Sequence, residues 1–324
     1  MRKVLLSFLF VWMVYPFFAQ SIAYKAEDDG YFSNSIETKA GLVLIGNKQN
    51  DLYLLKNNKL ITLLSTPGCA RYIQLSPDSL SIAFKYIHKD GSQQPAVLNL
   101  NSQQITFLYS KVPLCGQPTF DANGTIYFTV GNELNVYQNG NIQSFQLPLY
   151  VNYIAVSHNG NLVAFADDDK GIYLFNLTTL ETKLIGTPAC FYPAFSYNNR
   201  YLAYGSNPHL LYVYDLINDK TLGPIDMAGF KWHPFENKLV GIHSTSKDFE
   251  IVSSDVWQVN IPSLTVEEIT HSTAFESSVN FDAHGNYRIT YLTEYAVKKL
   301  STQKTTQLLY KTSTLQQSSL YPET

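Results

Sequence analysis

Residues 152–216 state one pattern twice, and that repetition limits the possible folds more than anything else in the chain. Asn152-Tyr-Ile-Ala-Val-Ser-His-Asn-Gly160 leads into Leu162-Val-Ala-Phe165 and then Ile172-Tyr-Leu-Phe175. About 39 residues further on, Phe191-Tyr-Pro-Ala-Phe-Ser-Tyr-Asn-Asn199 leads into Tyr201-Leu-Ala-Tyr204 and Leu211-Tyr-Val-Tyr-Asp-Leu216. Each copy reads as a short apolar strand, a polar four-residue turn, a second strand, a loop and a third strand. A unit of this kind cannot bury both faces alone, so it must stack against further copies.

The turn between the first two strands sets the register. It begins at Thr38, Ser76, Asp121, Ser157, Ser196, His233 and Asp282, with spacings of 38, 45, 36, 39, 37 and 49 residues. Ser or Asp in the first position can accept a backbone N–H, and Gly or Asn in the fourth tolerates a positive φ. Copies near 40 residues long predict an all-β, seven-bladed β-propeller of four-stranded antiparallel blades, with six blades as the alternative count. Every blade is expected to come from one continuous stretch, with the last built from residues 288–292, 295–300 and 306–310. An edge strand supplied by residues 24–33 is the other way to lock the ring.

The ends of the chain have a different character. Residues 1–23 read as a secretory signal: Arg2 and Lys3, an apolar run over 4–18, and small residues at Ala19, Ser21 and Ala23. The run of about 15 apolar residues is short of the roughly 20 needed to span a bilayer. The expected organisation is therefore a signal at 1–23, a propeller at 24–311 and a polar tail at 312–324. This places the mature protein in a periplasm or outside the cell, with no transmembrane segment after cleavage. Without the signal, 21 basic and 26 acidic side chains remain. No basic stripe stands out, which argues against nucleic acid as a partner.

Gln74-Leu-Ser-Pro-Asp-Ser-Leu-Ser-Ile-Ala-Phe84, followed by Val97-Leu-Asn-Leu100, resembles the repeat of TolB-like propellers, and residues 195–216 resemble it nearly as well. The resemblance implies the fold and no particular activity. Only Ser76 to Asp78 keeps the Ser-Pro-Asp core of the repeat, and TolB has six blades. WD-like propellers are less similar, because their Gly-His and Trp-Asp pairs are missing.

Propeller geometry puts the links between blades and the second-to-third-strand connections on one face. The two long excursions, residues 88–95 and 244–255, both fall there. Departures from a repeat are where propellers carry function, so this is the expected binding face. Its candidates are Arg71, Tyr72, His88, Lys89, Asp90, Tyr153, Phe191, Tyr192, Phe230, Lys247, Asp248 and Glu276. Aromatic side chains there serve either as interface anchors or as wedges between blades. Tyr72, Tyr153 and Tyr192 occupy one equivalent position, which favours wedges, whereas Arg71 and Glu276 break the repeat.

Cys69, Cys115 and Cys190 precede first strands on the same face. Export permits disulfides, and Cys69 with Cys115 is the best-placed pair, provided that their Cα atoms lie within about 7 Å. No zinc-type His pair, nucleophile elbow or phosphate loop is present, and no cofactor or metal is expected. The reading is a non-catalytic exported module that docks another envelope or secreted protein, including as a subunit of an envelope assembly. The alternative is a small-ligand-binding or metal-dependent, lactonase-like hydrolytic propeller using Glu276 and Asn152.

Overall fold

The computed structural model describes residues 19–25, 32–46, 48–167, 169–186, 189–206, 209–247, 250–271, 275–291 and 296–301. Among the described residues the strands form seven four-stranded antiparallel sheets, disposed as a β-propeller. Six are blades cut from single stretches of chain, at residues 32–65, 74–107, 119–146, 154–185, 190–226 and 228–268. From the second blade onward first strands touch from blade to blade, and Phe32–Thr38 of the first blade meets Glu276–Phe281 of the last sheet, so the first strands surround the axis.

The last sheet departs from the expected plan. Its strands Glu276–Phe281, Tyr287–Tyr291 and Ala296–Ser301 are completed by Ala19–Lys25, whose register runs from Ala19 opposite Ser301 to Lys25 opposite Ala296. The expectation that every blade is continuous is therefore corrected: the outer strand comes from the other end of the chain. That strand includes residues 19–23, which the sequence assigned to the signal. Residues 306–310, expected in this slot, lie outside the described residues, as do 1–18 and the tail at 312–324. Among the described residues no helix is long and apolar enough to cross a membrane.

The turns hold the sheets together by the chemistry their residue types suggested. Ser76, Asp121, Ser157, Ser196 and Asp282 are all buried. The Ser157 Oγ accepts the Leu162 N–H at 2.9 Å, the Ser196 Oγ accepts that of Tyr201 at 3.0 Å, and Asp121 Oδ1 accepts the N–H groups of Asn123 and Thr125 at 2.9 Å each. Positive φ values fall at Ser79, Gly124, Gly160, Asn199 and Gly285, the fourth turn positions. Neighbouring turns are bonded to each other: the Lys39 N–H reaches Ser79 O, the Ala122 N–H reaches His158 O, and the His158 N–H reaches Asn199 Oδ1.

Between blades the seams are apolar. Ile172, Leu174 and Ile185 of the fourth blade pack on Phe195, Leu202 and Tyr204 of the fifth, and comparable clusters join the other consecutive sheets. The seam that closes the ring is different. Asn280 Nδ2 donates to Asn34 Oδ1 at 2.7 Å and to Ser35 O at 2.8 Å, Ser35 and Thr290 hydroxyls meet at 3.4 Å, and Arg288 pairs with Glu37. Among the described residues no apolar cluster crosses this junction.

Candidate binding face

On the face that carries the links between blades, the chain enters its first strands through strained aromatic residues. Tyr72 and Tyr192 have φ values of 56° and 50°. This left-handed region is uncommon for a bulky L-residue and is kept only where the surroundings enforce it. Here the enforcement is mutual. The Tyr72 ring lies 5.8 Å from Tyr153 and 5.2 Å from Tyr192, and Tyr153 meets Tyr192 edge-on at 5.6 Å. The Tyr72 and Tyr192 hydroxyls are hydrogen-bonded. Burial, then the neighbouring Tyr72, pushes the phenols of Tyr153 and Tyr192 up to about 12, so both stay neutral at ordinary pH. Phe191 packs edge-on to Tyr192 at 5.2 Å and closes over Gly205, where a Cβ would stand 2.5 Å from Phe191 Cε2.

Tyr72, Tyr153, Phe191, Tyr192 and Phe230 line a central cavity of about 510 Å3 whose walls come from six of the sheets. The three tyrosine rings pack against each other, and Tyr192 keeps 42% of its surface exposed. Their common position in the repeat was visible in the sequence, but their convergence across three blades was not. The sequence reading also passed over Lys231, which lies in the same wall on the strand Ala228–Trp232. Alternation along that strand sends Phe230 and Trp232 toward the apolar seam, with Trp232 Nε1 donating to Ala194 O at 2.8 Å. Lys231 exposes much of its surface to the cavity, yet it stands deep enough in the ring for desolvation to lower its ammonium from the ordinary lysine value.

The first excursion is shorter than a loop over 88–95. Strand Gln93–Asn99 takes up its second half, and a tight turn remains in which the His88 N–H donates to Ser92 O at 2.8 Å. Asp90 Oδ1 accepts from the Ser92 hydroxyl at 2.6 Å and its N–H at 3.0 Å, which holds the carboxyl below its usual range. His88 is half-buried, bonded to Gln94 Oε1 at 2.7 Å and packed 4.7 Å from Tyr86. With Lys89, Asp90 and Lys111 it lines a second cavity of about 490 Å3 against the link at 65–67.

The second excursion is not a loop either. Strands Lys238–Lys247 and Glu250–Asn260 stay paired from Lys238 opposite Asn260 out to Lys247 opposite Glu250, a hairpin much longer than its neighbours. Alternating small, polar and β-branched residues over 244–256 explain the extension. The outer strand Thr265–Glu268 pairs only with residues 257–260, so among the described residues no strand covers the outer edge of 250–255. Ile251 and Val252 are 56% and 54% exposed on it. Lys247 is exposed at the tip, and Asp248 lies outside the described residues.

The remaining candidates are placed differently. Arg71 is exposed, with Nε donating to Gln49 Oε1 at 3.3 Å and its carbonyl taking a bond from Gln117. Glu276 is buried at the start of its strand and is not part of either cavity wall. Lys85, which the sequence hid in mid-strand, clasps three blades: its Nζ donates to Asn152 Oδ1 at 2.8 Å and Cys115 O at 3.1 Å. The expected Cys69–Cys115 disulfide is corrected. Cys69 and Cys115 form no disulfide, and all three cysteines are buried, with Cys69 Sγ turned to Asn50 O at 3.0 Å. Burial pushes the Cys115 thiol up to about 11, and such thiols behave as small apolar side chains. Among the described residues no group of three His, Cys, Asp or Glu side chains could hold a metal ion.

The fold and this face together define a β-propeller with an aromatic-rimmed central cavity and one outsized hairpin. No protein-family model matches the chain, and no curated protein does.

Proposed function

We propose that the protein is an exported, non-catalytic docking module that binds another envelope or secreted protein through the face carrying its blade links. The composite sheet is then the seventh blade of the ring, and the likeness of the turns to those of TolB-like propellers supports reading it as a rigid platform in the periplasm or outside the cell. One observation carries the reading: the hairpin of the sixth blade, with an uncovered strand edge and Ile251 and Val252 exposed. Soluble proteins blunt or cover long apolar strand edges, because such an edge offers a row of backbone donors and acceptors to any extended segment. Strand addition supplies affinity through the main chain and specificity through alternate side chains. The aromatic rim offers anchors of the kind that concentrate binding energy at interfaces.

The test is co-purification from the native envelope under non-reducing conditions with two tagged forms. One is the wild type; the other carries Ile251→Lys and Val252→Lys, which leave the buried part of the hairpin intact. The reading expects a stoichiometric partner that is lost with the double variant. A partner retained at wild-type levels would remove the hairpin from the interface.

A further inference from the structure

The central cavity raises a question that docking leaves unanswered, because its wall contains a charge without a counter-charge. Among its lining residues Lys231 alone is ionisable to a charged form near neutral pH, and no Asp or Glu shares the wall. Among the described residues the ammonium makes no ion pair or hydrogen bond, and no carboxylate is near enough to hold its proton on. Gln74, in the same wall from the second blade, likewise has no side-chain partner there. Several other polar groups are occupied: Asn280 and Ser278 bond Asn34, and Trp232 bonds Ala194. Lys231 exposes its surface to the cavity rather than to a neighbouring side chain, so its charge is left for water or a bound anion to neutralise.

We propose that the central cavity is a binding site for a small organic monocarboxylate, with Lys231 as its counter-ion and Gln74 as a second polar contact. The cavity, at about 510 Å3, falls in the range that holds small ligands. Phe191, Tyr192 and Phe230 give it apolar walls for the body of the molecule. A single ammonium suits a single negative charge; a phosphate dianion calls for several cations or a row of backbone N–H groups. The site stands whether or not the hairpin docks a partner.

Calorimetric titration with 3-phenylpropionate and with 3-phenylpropionamide tests this on the wild type, Lys231→Met and Lys231→Arg. The acid should bind at least about tenfold more tightly than the amide, Lys231→Met should erase that difference, and Lys231→Arg should keep most of it. A parallel titration with the tripeptide Ala-Ala-Phe and its C-terminal amide separates two sources of the carboxylate. Tighter binding of the tripeptide acid than of 3-phenylpropionate assigns the site to a chain terminus, and the reverse assigns it to a free metabolite. The proposal is overturned if neither acid binds, if a correctly melting Lys231→Met variant binds the acid as the wild type does, or if inorganic phosphate binds more tightly than either acid.

Discussion

The seam between the fourth and fifth blades and the seam that closes the ring do the same geometric task with opposite chemistry. The first is filled by Ile172, Leu174, Leu202 and Tyr204, all buried. The second relies on Asn34, Ser35, Asn280, Thr290 and the Arg288–Glu37 pair. Apolar burial is strong and indifferent to register, whereas a polar network is weak in net energy and demanding in geometry. The difference teaches that the consecutive seams supply the stability and the closing seam supplies the match between first and last sheets. Any blade could bury an apolar face against another; only the correct closure satisfies Asn280 twice and leaves Arg288 paired.

The largest expected effect lies in the apolar seam. Leu202→Ala should destabilise by about 2–5 kcal/mol, since the fully buried side chain leaves a cavity that neighbouring strands cannot fill. Denaturant unfolding measures it, and a loss below about 1 kcal/mol would break the contrast.

At the closing seam the two halves of the ion pair should differ. Arg288 is buried, with Nε lacking any hydrogen-bond partner, whereas the Glu37 side chain is 38% exposed. Glu37→Ala strands a desolvated guanidinium and should cost about 1–3 kcal/mol. Arg288→Met removes the charge along with the pairing and should cost less, because Glu37 can be hydrated. Equal losses in the two variants would mean that desolvation is not what sets the strength of this junction.

The smallest effect is a gain. Desolvation puts the Lys231 ammonium below the unfolded lysine value of about 10.4, so between the two values the unfolded chain holds the extra proton. Stability should therefore rise with pH through that window, weakly because the side chain meets water in the cavity, and Lys231→Met should raise the melting midpoint at neutral pH only slightly and flatten the rise. A fall in the midpoint would show that the lysine is a structural contact rather than an uncompensated charge.

Much of the architecture was legible because the turns are local. Ser76, Asp121, Ser157, Ser196 and Asp282 bond N–H groups within five residues of themselves, so their spacing exposed the repeat without tertiary information. The face on which residues 88–95 and 244–255 depart from the repeat followed from the same count. What was hidden is non-local. Ala19–Lys25 finds its partner at the far end of the chain, and nothing in its own residues names Ala296–Ser301. The cysteine pairing failed because sequence position does not tell where a thiol points. Glu276 broke the repeat as a surface residue would, yet its strand carries it into the interior. Lys231 has no local signal: a lysine between two aromatics on a first strand reads as a solvent-facing position, and only ring closure turns that position into a cavity wall.

The central claim is that the regular turns hold the ring and the irregular face does the binding. Hydrogen exchange of the backbone, compared between the free protein and the complex recovered from the envelope, tests it directly. The account predicts protection concentrated at residues 244–256 and around Tyr72 and Tyr192, with the turns at 76–79, 121–124, 157–160 and 196–199 unchanged. Protection of those turns with an unaltered hairpin would contradict it.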